Sequence, residues 1–210
     1  MTVVIFMQSR RERNQHDKRA RIIAAARQLF HSQGFEATTM AQIAAAADVA
    51  KGTLFLYAPT KADLLVVVYE AELQQLAERG LAHVLPGVSI PAALVAIFAP
   101  FFELYSQNKV LARRYVAQQL FQSGALPESA PALHGLMTGL AALIAGWQRQ
   151  GRVAAELVPE LAAQTTFMLY FGILVAWLRG NLGDEARDQR LLAVFAMHWH
   201  GFLLDTEDTP

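Results

Sequence analysis

The chain has 210 residues, of which 54% are hydrophobic, so it can bury a full core and is longer than one minimal domain requires. It has no cysteine, which excludes disulfides and thiolate metal sites and favours the reducing cytoplasm as its compartment. The first seven residues are apolar, but no basic segment precedes them and no small-residue cleavage site follows, so the pattern does not predict secretion.

The formal net charge is zero, and this average conceals an uneven distribution. Residues 1–63 hold nine Lys and Arg against five Asp and Glu, a net charge of +4. Residues 64–210 hold nine against thirteen, a net charge of −4. A positively charged N-terminal part, here called the basic head (residues 1–63), followed by a negatively charged remainder is typical of a protein that approaches phosphate with one end only.

In chain order, residues 1–16 are expected to form a basic flexible tail. Its arginines 10, 11 and 13 could reach along a duplex or could simply keep the tail in solvent. A first helix is predicted from about Asp17 to Gln33, where apolar residues recur at helical spacing, and Gly34 supplies a left-handed stop.

Two short helices separated by a tight turn follow. Thr38 or Thr39 can cap the first of them. Asp48 occupies the turn, where a residue that tolerates a positive φ is needed. The second short helix ends before Pro59.

A capping box between Thr60 and Asp63 starts a longer helix that runs to about Arg79 or Gly80. Beyond it the pattern is helical throughout, and helices are predicted at 91–107, 109–122, 131–150, 159–179 and 184–202. The sequence therefore predicts an all-α fold, with a three-helix helix-turn-helix domain at 17–64 and a larger helical-bundle domain at 65–210.

The helix-turn-helix carries the chemistry of DNA recognition. Its second helix places its N-terminal side chains in the major groove, which makes Lys51, Gly52 and Thr53 the groove-facing positions. Lysine supplies a mobile charge, glycine lets the backbone approach closely, and free helix amides attract phosphate. The pattern therefore predicts double-stranded DNA as a partner.

The residues that carry a family resemblance lie between Gly34 and Leu64. They are Gly34-Phe35, Thr38-Thr39, Ile43-Ala44, Val49, Lys51-Gly52-Thr53-Leu54, Tyr57 and Thr60-Lys61-Ala62-Asp63-Leu64. This set resembles the N-terminal domain of the TetR (tetracycline-repressor) family of bacterial transcription regulators. The rest of the chain matches in length and helical character, and its Gly146-Trp147 and Gly151-Arg152 pairs are similar to many members.

The resemblance implies a cytoplasmic homodimer, most often a repressor, that binds a palindromic operator and is released when a small molecule enters the large domain. By position it implies DNA contacts at Thr38, Thr39, Lys51, Gly52, Thr53, Phe55, Tyr57 and Lys61. Asp48, Ala50, Phe55 and Ala58 stand where the family commonly has Gly, Ser, Tyr and Phe. Two possible phosphate-binding hydroxyls are thereby missing, so we expect DNA docking with fewer contacts.

Aromatic residues are numerous in the predicted large domain. A pocket lined by such rings would suit an apolar or aromatic effector, whereas core packing is the competing interpretation for any single ring. The predicted ligand-binding residues are Phe98, Phe102, Tyr105, Tyr115, Phe121, Trp147 and Tyr170.

Residues 161–178 carry no charge and approach the length of a membrane span. Polar residues at 164–166 interrupt them, which favours a buried helix and no membrane partner. In the family, the last two long helices pair with their twins in a four-helix interface. The resemblance therefore implies a dimer interface, in competition with the pocket for the same rings, at Phe167, Phe171, Leu174, Trp177, Leu191, Phe195 and Trp199.

No metal, cofactor or catalytic site is predicted. His198 and His200 are two residues apart on a predicted helix and point to different faces, whereas chelation needs a spacing of three or four. No nucleophile and base, phosphate loop or zinc-protease motif occurs at a recognisable spacing, so an enzyme is not expected.

Two further functions stay open at this stage. One is a constitutive DNA-binding protein that uses its large domain only for dimerisation. The other is a helical small-molecule-binding protein or enzyme whose DNA-binding motif has lost its affinity.

Overall fold

The computed structural model describes residues 10–121 and 131–203 of the chain. The predicted all-α class is confirmed, because every named element in these two ranges is an α-helix. The helices are α1 Arg10–Ser32, α2 Met40–Ala46, α3 Lys51–Tyr57, α4 Lys61–Ala82, α5 Ile90–Ser106, α6 Lys109–Phe121, α7 Pro131–Arg149, α8 Pro159–Leu178 and α9 Asp184–His200.

The observed helix bounds lie within a few residues of the predicted ones, except at the start of α1. This helix begins at Arg10, so residues 10–16 are helical and do not belong to a flexible tail. Residues 1–9 of the predicted tail lie outside the described residues.

The chain divides into two compact units. The described part of the small unit comprises residues 10–69 and 114–121, and that of the large unit comprises residues 70–113 and 131–203. Helices α4 and α6 each contribute to both units. The predicted boundary between residues 64 and 65 falls inside α4, and residues 114–121 join the small unit although the sequence had placed them in the large domain.

The small unit follows its local sequence signals closely. Gly34 has a φ of 84°, which ends the α1 region with a left-handed residue. Thr39 is the N-cap of α2 and forms a capping box with Gln42. The backbone amide of Thr60 donates to Asp63 Oδ2 at 3.0 Å and that of Asp63 donates back to Thr60 Oγ1 at 3.1 Å, which starts α4 as predicted.

Apolar side chains from α1, α2, α3 and α4 form the core of the small unit: Ile22, Ala26, Phe30, Ile43, Leu54 and Leu64. Residues 114 and 115 of α6 add to this unit from far along the chain. Arg114 forms an ion pair with Glu36, and its guanidinium lies 4.9 Å from the centre of the Phe35 ring. The ring of Tyr115 stacks on that of Tyr69 at 4.7 Å.

In the large unit, α8 packs against α7 and α9, and α9 also packs against α5. Glycines permit two close helix approaches. A Cβ at Gly139 of α7 would lie 2.2 Å from Leu81 Cδ1 of α4, and one at Gly80 would lie 3.3 Å from Ile97 Cα of α5. The end of α4 therefore contacts the backbone of α5 at Gly80 and reaches α7 through the Leu81 side chain.

Among the described residues, α8 is the single helix that is both long and apolar enough to cross a membrane. Within the structure, 44% of its apolar window is buried.

Candidate functional site

The helix-turn-helix consists of α2, a turn at residues 47–50, and α3. In the turn, the amide of Asp48 donates to Ala45 O at 3.1 Å and the amide of Val49 donates to Ala44 O at 3.0 Å. Asp48 has a φ of 51°, as its position in the turn predicts. Arg21 Nη1 donates to Asp48 Oδ2 at 3.1 Å, so α1 also holds the turn in place.

Helix α3 buries one side chain, Leu54, and leaves its other faces accessible. Lys51 and Gly52 are exposed, and Thr53 is half-buried. Their accessibility is what groove-facing residues require. The N-cap Ala50 makes no side-chain hydrogen bond, in agreement with the absence of the usual serine.

Two apolar side chains of α3 are unusually accessible: Phe55 is 48% exposed and Leu56 is 86% exposed. Sequence reasoning included Phe55 and missed Leu56. The sequence did carry a signal for Leu56. It follows the buried Leu54 by two residues and therefore points to another face of the helix. Apolar side chains on a recognition helix can contact the methyl group of thymine.

The two predicted threonines differ in what they can do. Thr38 is 1% exposed, and its hydroxyl donates to Gly34 O at 2.7 Å, so the prediction that it contacts DNA is wrong. Thr39 is exposed. Its hydroxyl oxygen accepts from the backbone N–H of Gln42 at 3.2 Å, and its own backbone N–H donates to Gln42 Oε1 at 2.8 Å. Thr39 stays a candidate for a phosphate contact.

Lys61 has a different position from the one predicted. Its ammonium donates to the carbonyl oxygens of Phe35 at 2.6 Å, Thr38 at 2.8 Å and Glu36 at 3.1 Å. It also lies 4.5 Å from the centre of the Phe35 ring. All three ammonium protons are thus directed at the segment between α1 and α2, which corrects the prediction of a phosphate contact for Lys61.

Tyr57 lies at the end of α3 and is half-buried. Its hydroxyl donates to Gln15 O of α1 at 3.2 Å, which fixes the ring between the two helices. The hydroxyl oxygen keeps acceptor capacity, and a rotation of its hydrogen could redirect the donor to a phosphate.

The predicted ligand-binding residues separate into three places. Phe98, Phe102, Tyr105 and Tyr170 form a buried ring cluster in the large unit, in which Phe98 stacks on Tyr170 at 4.4 Å. Tyr115 belongs to the small unit, where it packs on Tyr69, so it does not belong to this cluster. Trp147 is the member that lines an open cleft of the large unit. The side chain of Phe121 lies outside the described residues.

Cations surround the ring cluster. Arg187 lies over Phe102 at 4.7 Å and over Trp177 at 5.1 Å, and Lys109 lies over Trp177 at 4.3 Å. Burial raises the pKa of the Tyr170 hydroxyl well above its ordinary value, the nearby Tyr105 hydroxyl adds to this, and Arg187 opposes it. These rings therefore form a packed core in which the Tyr170 hydroxyl stays neutral.

Five of the predicted dimer-interface residues are buried inside their own chain: Leu174, Trp177, Leu191, Phe195 and Trp199. A side chain that is covered within one protomer cannot pack against a second copy, so these five assignments are wrong. Phe167 and Phe171 are half-buried and remain available. The accessible apolar side chains of α8 and α9, which sequence reasoning missed, are Leu161, Met168, Leu192 and Met197.

A tight turn between two short helices, with the second helix accessible on a positively charged part of the chain, is the arrangement found in helix-turn-helix DNA-binding domains. Residues 22–68 match the family described as bacterial regulatory proteins, tetR family. This segment of the protein therefore matches the DNA-binding domain of the TetR family.

Individual relatives agree with this assignment. The HTH-type transcriptional repressor KstR of Rhodococcus jostii (strain RHA1) is 41% identical over 66 residues, and this match spans 31% of each chain. The chain therefore matches less than a third of the length of that curated relative.

Solved structures extend the similarity to nearly the whole chain. FadR of Thermus thermophilus, a TetR-family repressor in complex with lauroyl-CoA, is 26% identical with a TM-score of 0.68, over 91% of this chain and 98% of that one. A TetR-family regulator of Pectobacterium atrosepticum is 22% identical with a TM-score of 0.69, over 94% and 99% of the two chains, which shows a shared fold.

Proposed function

We propose that the protein is a cytoplasmic transcriptional repressor that binds a palindromic DNA operator as a homodimer and is released by a small apolar or aromatic effector. The observation that carries the proposal is the α2–turn–α3 arrangement, with Lys51 and Gly52 exposed at the start of α3. The positive head of the chain, α1 to α3, suits an approach to phosphate.

Dimerisation is supported by four accessible apolar side chains of α8 and α9, Leu161, Met168, Leu192 and Met197, which together we call the α8–α9 face. Met168 is 67% exposed and Met197 is 75% exposed. Apolar side chains at this density on two adjacent long helices favour a second copy as partner, in the manner of a four-helix interface.

An effector is supported by the similar FadR structure, which is a complex with lauroyl-CoA. We propose that effector binding shifts the population of a dimer between two spacings of its recognition helices. Only one spacing would match half-sites about 34–36 Å apart on DNA. Helix α4 supports this mechanism because it is continuous from residues 61–69 of the small unit to residues 70–82 of the large one.

Fluorescence anisotropy of the full chain on its own upstream DNA and on a scrambled duplex, across a salt series, tests the DNA-binding part. Lys51→Ala should weaken binding to the upstream DNA strongly, whereas Arg190→Ala, at an exposed arginine on α9 of the large unit, serves as the control for the removal of one positive charge. Equal binding of the two duplexes, or equal effects of the two variants, would contradict recognition by α3.

Sedimentation analysis tests the dimer. Met168→Glu places a charge on the α8–α9 face and should convert the dimer to a monomer, while Gln75→Glu on an exposed part of α4 should leave the dimer intact. A wild-type monomer at micromolar concentration, or a dimer that persists in Met168→Glu, would exclude this interface.

A further inference from the structure

The large unit contains an open cleft of about 770 Å³ that lies between the end of α4, the segment before α5, and the C-terminal half of α7. Its lining is mostly apolar and includes Leu81, Val84, Leu85, Leu143 and Trp147, with Arg152 at its edge. Pockets for drug-sized ligands have volumes of roughly 300–1,000 Å³ and similar apolar linings. The cleft therefore has a volume in the range of small-molecule sites.

Backbone features keep the cleft open. Gly146 forms part of the α7 wall, and a Cβ added there would meet only Arg149 Nη2, at 3.7 Å. Gly87 has a φ of 77°, which turns the segment between α4 and α5. Arg152 Nη2 donates to Val88 O at 2.6 Å and ties that segment to the end of α7.

Arg152 brings an uncompensated positive charge to this apolar surface. Its guanidinium is half-buried and lies 5.9 Å from the centre of the Trp147 ring. Within residues 10–121 and 131–203 no carboxylate is paired with it, and the cleft lining contains no Asp or Glu. The bond to Val88 uses one of the five guanidinium donors, so a carboxylate could be bound by those that remain.

We propose that this cleft binds an amphipathic carboxylate, with its apolar chain against Leu81, Leu143 and Trp147 and its carboxylate on Arg152. The inference deepens the proposed function, and rests on it, because it identifies this ligand as the effector. Leu81 lies in α4 and packs over Gly139, so a ligand in the cleft contacts the helix that also contributes to the DNA-binding unit.

Titration calorimetry of the full chain with decanoate, decanol and decyltrimethylammonium, all below their micelle concentrations, tests the chemistry of the site. Decanoate should bind, and the alcohol and the cation should bind at least about tenfold more weakly, since neither can form the charge-assisted pair with Arg152. Equal affinities for the three probes, or no binding of decanoate up to about 1 mM, would overturn the proposal.

Two variants test whether decanoate binds in this cleft. Arg152→Gln should weaken decanoate about tenfold or more, whereas Arg190→Gln, at an exposed arginine of α9, should not. Because Arg152→Gln also removes the bond to Val88, Gly146→Leu provides a second route: it adds a large side chain to the α7 wall of the cleft, leaves Arg152 in place and should weaken decanoate about tenfold or more. Decanoate affinity that is unchanged in Gly146→Leu would exclude this cleft.

DNA anisotropy on the same samples separates the two proposals. Decanoate that binds in the cleft and lowers operator affinity supports both. Decanoate that binds there without changing operator affinity refutes its role as the effector. A wild-type chain that binds no specific DNA refutes the proposed function and, with it, the effector role, whatever the calorimetry gives.

Discussion

Replacing Lys61 by methionine removes the ammonium that holds the segment between α1 and α2 and keeps most of the side-chain length. Two of its three carbonyl partners, those of Phe35 and Thr38, are part-buried, and that of Glu36 is exposed. A hydrogen bond from a charged donor contributes about 1.5–3 kcal/mol when well buried, and solvent lowers this value. We therefore expect Lys61→Met to destabilise this segment by about 2–3 kcal/mol.

Native-state hydrogen exchange followed by mass spectrometry is the suitable assay, because it reports the small unit directly, whereas all three tryptophans belong to the large unit. The amides of Ile43 and Ala47, which bond to Thr39 O and Ile43 O, should exchange about 30- to 150-fold faster. Lys18→Met, at an exposed lysine of α1, should leave them unchanged. An acceleration of less than about threefold would refute the energetic argument.

The same variant separates the structural role of Lys61 from DNA contact. Under conditions where the variant is folded, the slope of log affinity against log salt should equal that of the wild type. If the ammonium instead bound a phosphate, its removal would lower this slope by about one. A lower slope would restore the assignment that the sequence alone implied.

Three smaller predictions concern single contacts. Thr39→Ala removes the capping box of α2 and should lower the free energy of unfolding by about 1 kcal/mol in urea titrations, whereas Thr39→Ser should keep it. Gly80→Ala places a Cβ 3.3 Å from Ile97 Cα, a backbone atom of α5, and should be less stable than Gly135→Ala, which has open space around it; equal free energies of unfolding for the two variants would contradict the close approach of α4 and α5. Burial lowers the pKa of His198 from 6.5, so the stability that its neutral ring contributes is present above pH 6.5 and is lost as the pH falls through the lowered pKa. The urea midpoint of the wild type should therefore fall between about pH 7 and pH 5, and His198→Gln should reduce this fall. A pH profile that is the same in the variant and the wild type would exclude the effect.

The small unit could be predicted from the sequence because its signals are local. The left-handed Gly34, the capping threonines and the positive φ of Asp48 each depend on neighbours within a few residues. The role of Lys61 was not predictable in this way. Its carbonyl partners lie more than twenty residues earlier in the chain, and an exposed-looking lysine beside a DNA-binding motif favours phosphate by default.

The large unit was predicted correctly in class and wrongly in detail. Helix α8 is apolar on nearly every side, so its sequence cannot indicate which rings face their own core and which face a partner. Trp177 is fully buried, whereas Met168 on the same helix is exposed. The cleft beside Trp147 depends on the end of α4 and on the segment that Arg152 holds, and residue spacing alone does not bring these together.

The small unit is discontinuous in the chain, and this bears on how its helix-turn-helix could be transferred to another protein. A recombination point after Tyr69 would transfer α1 to α3 without residues 114–121. The transferred Glu36 and Phe35 would then be separated from Arg114, and Tyr69 from the ring of Tyr115. A transferred segment that keeps these contacts therefore has to include residues 114–121 as well as residues 10–69, so the structural unit is encoded by two separated stretches of one gene.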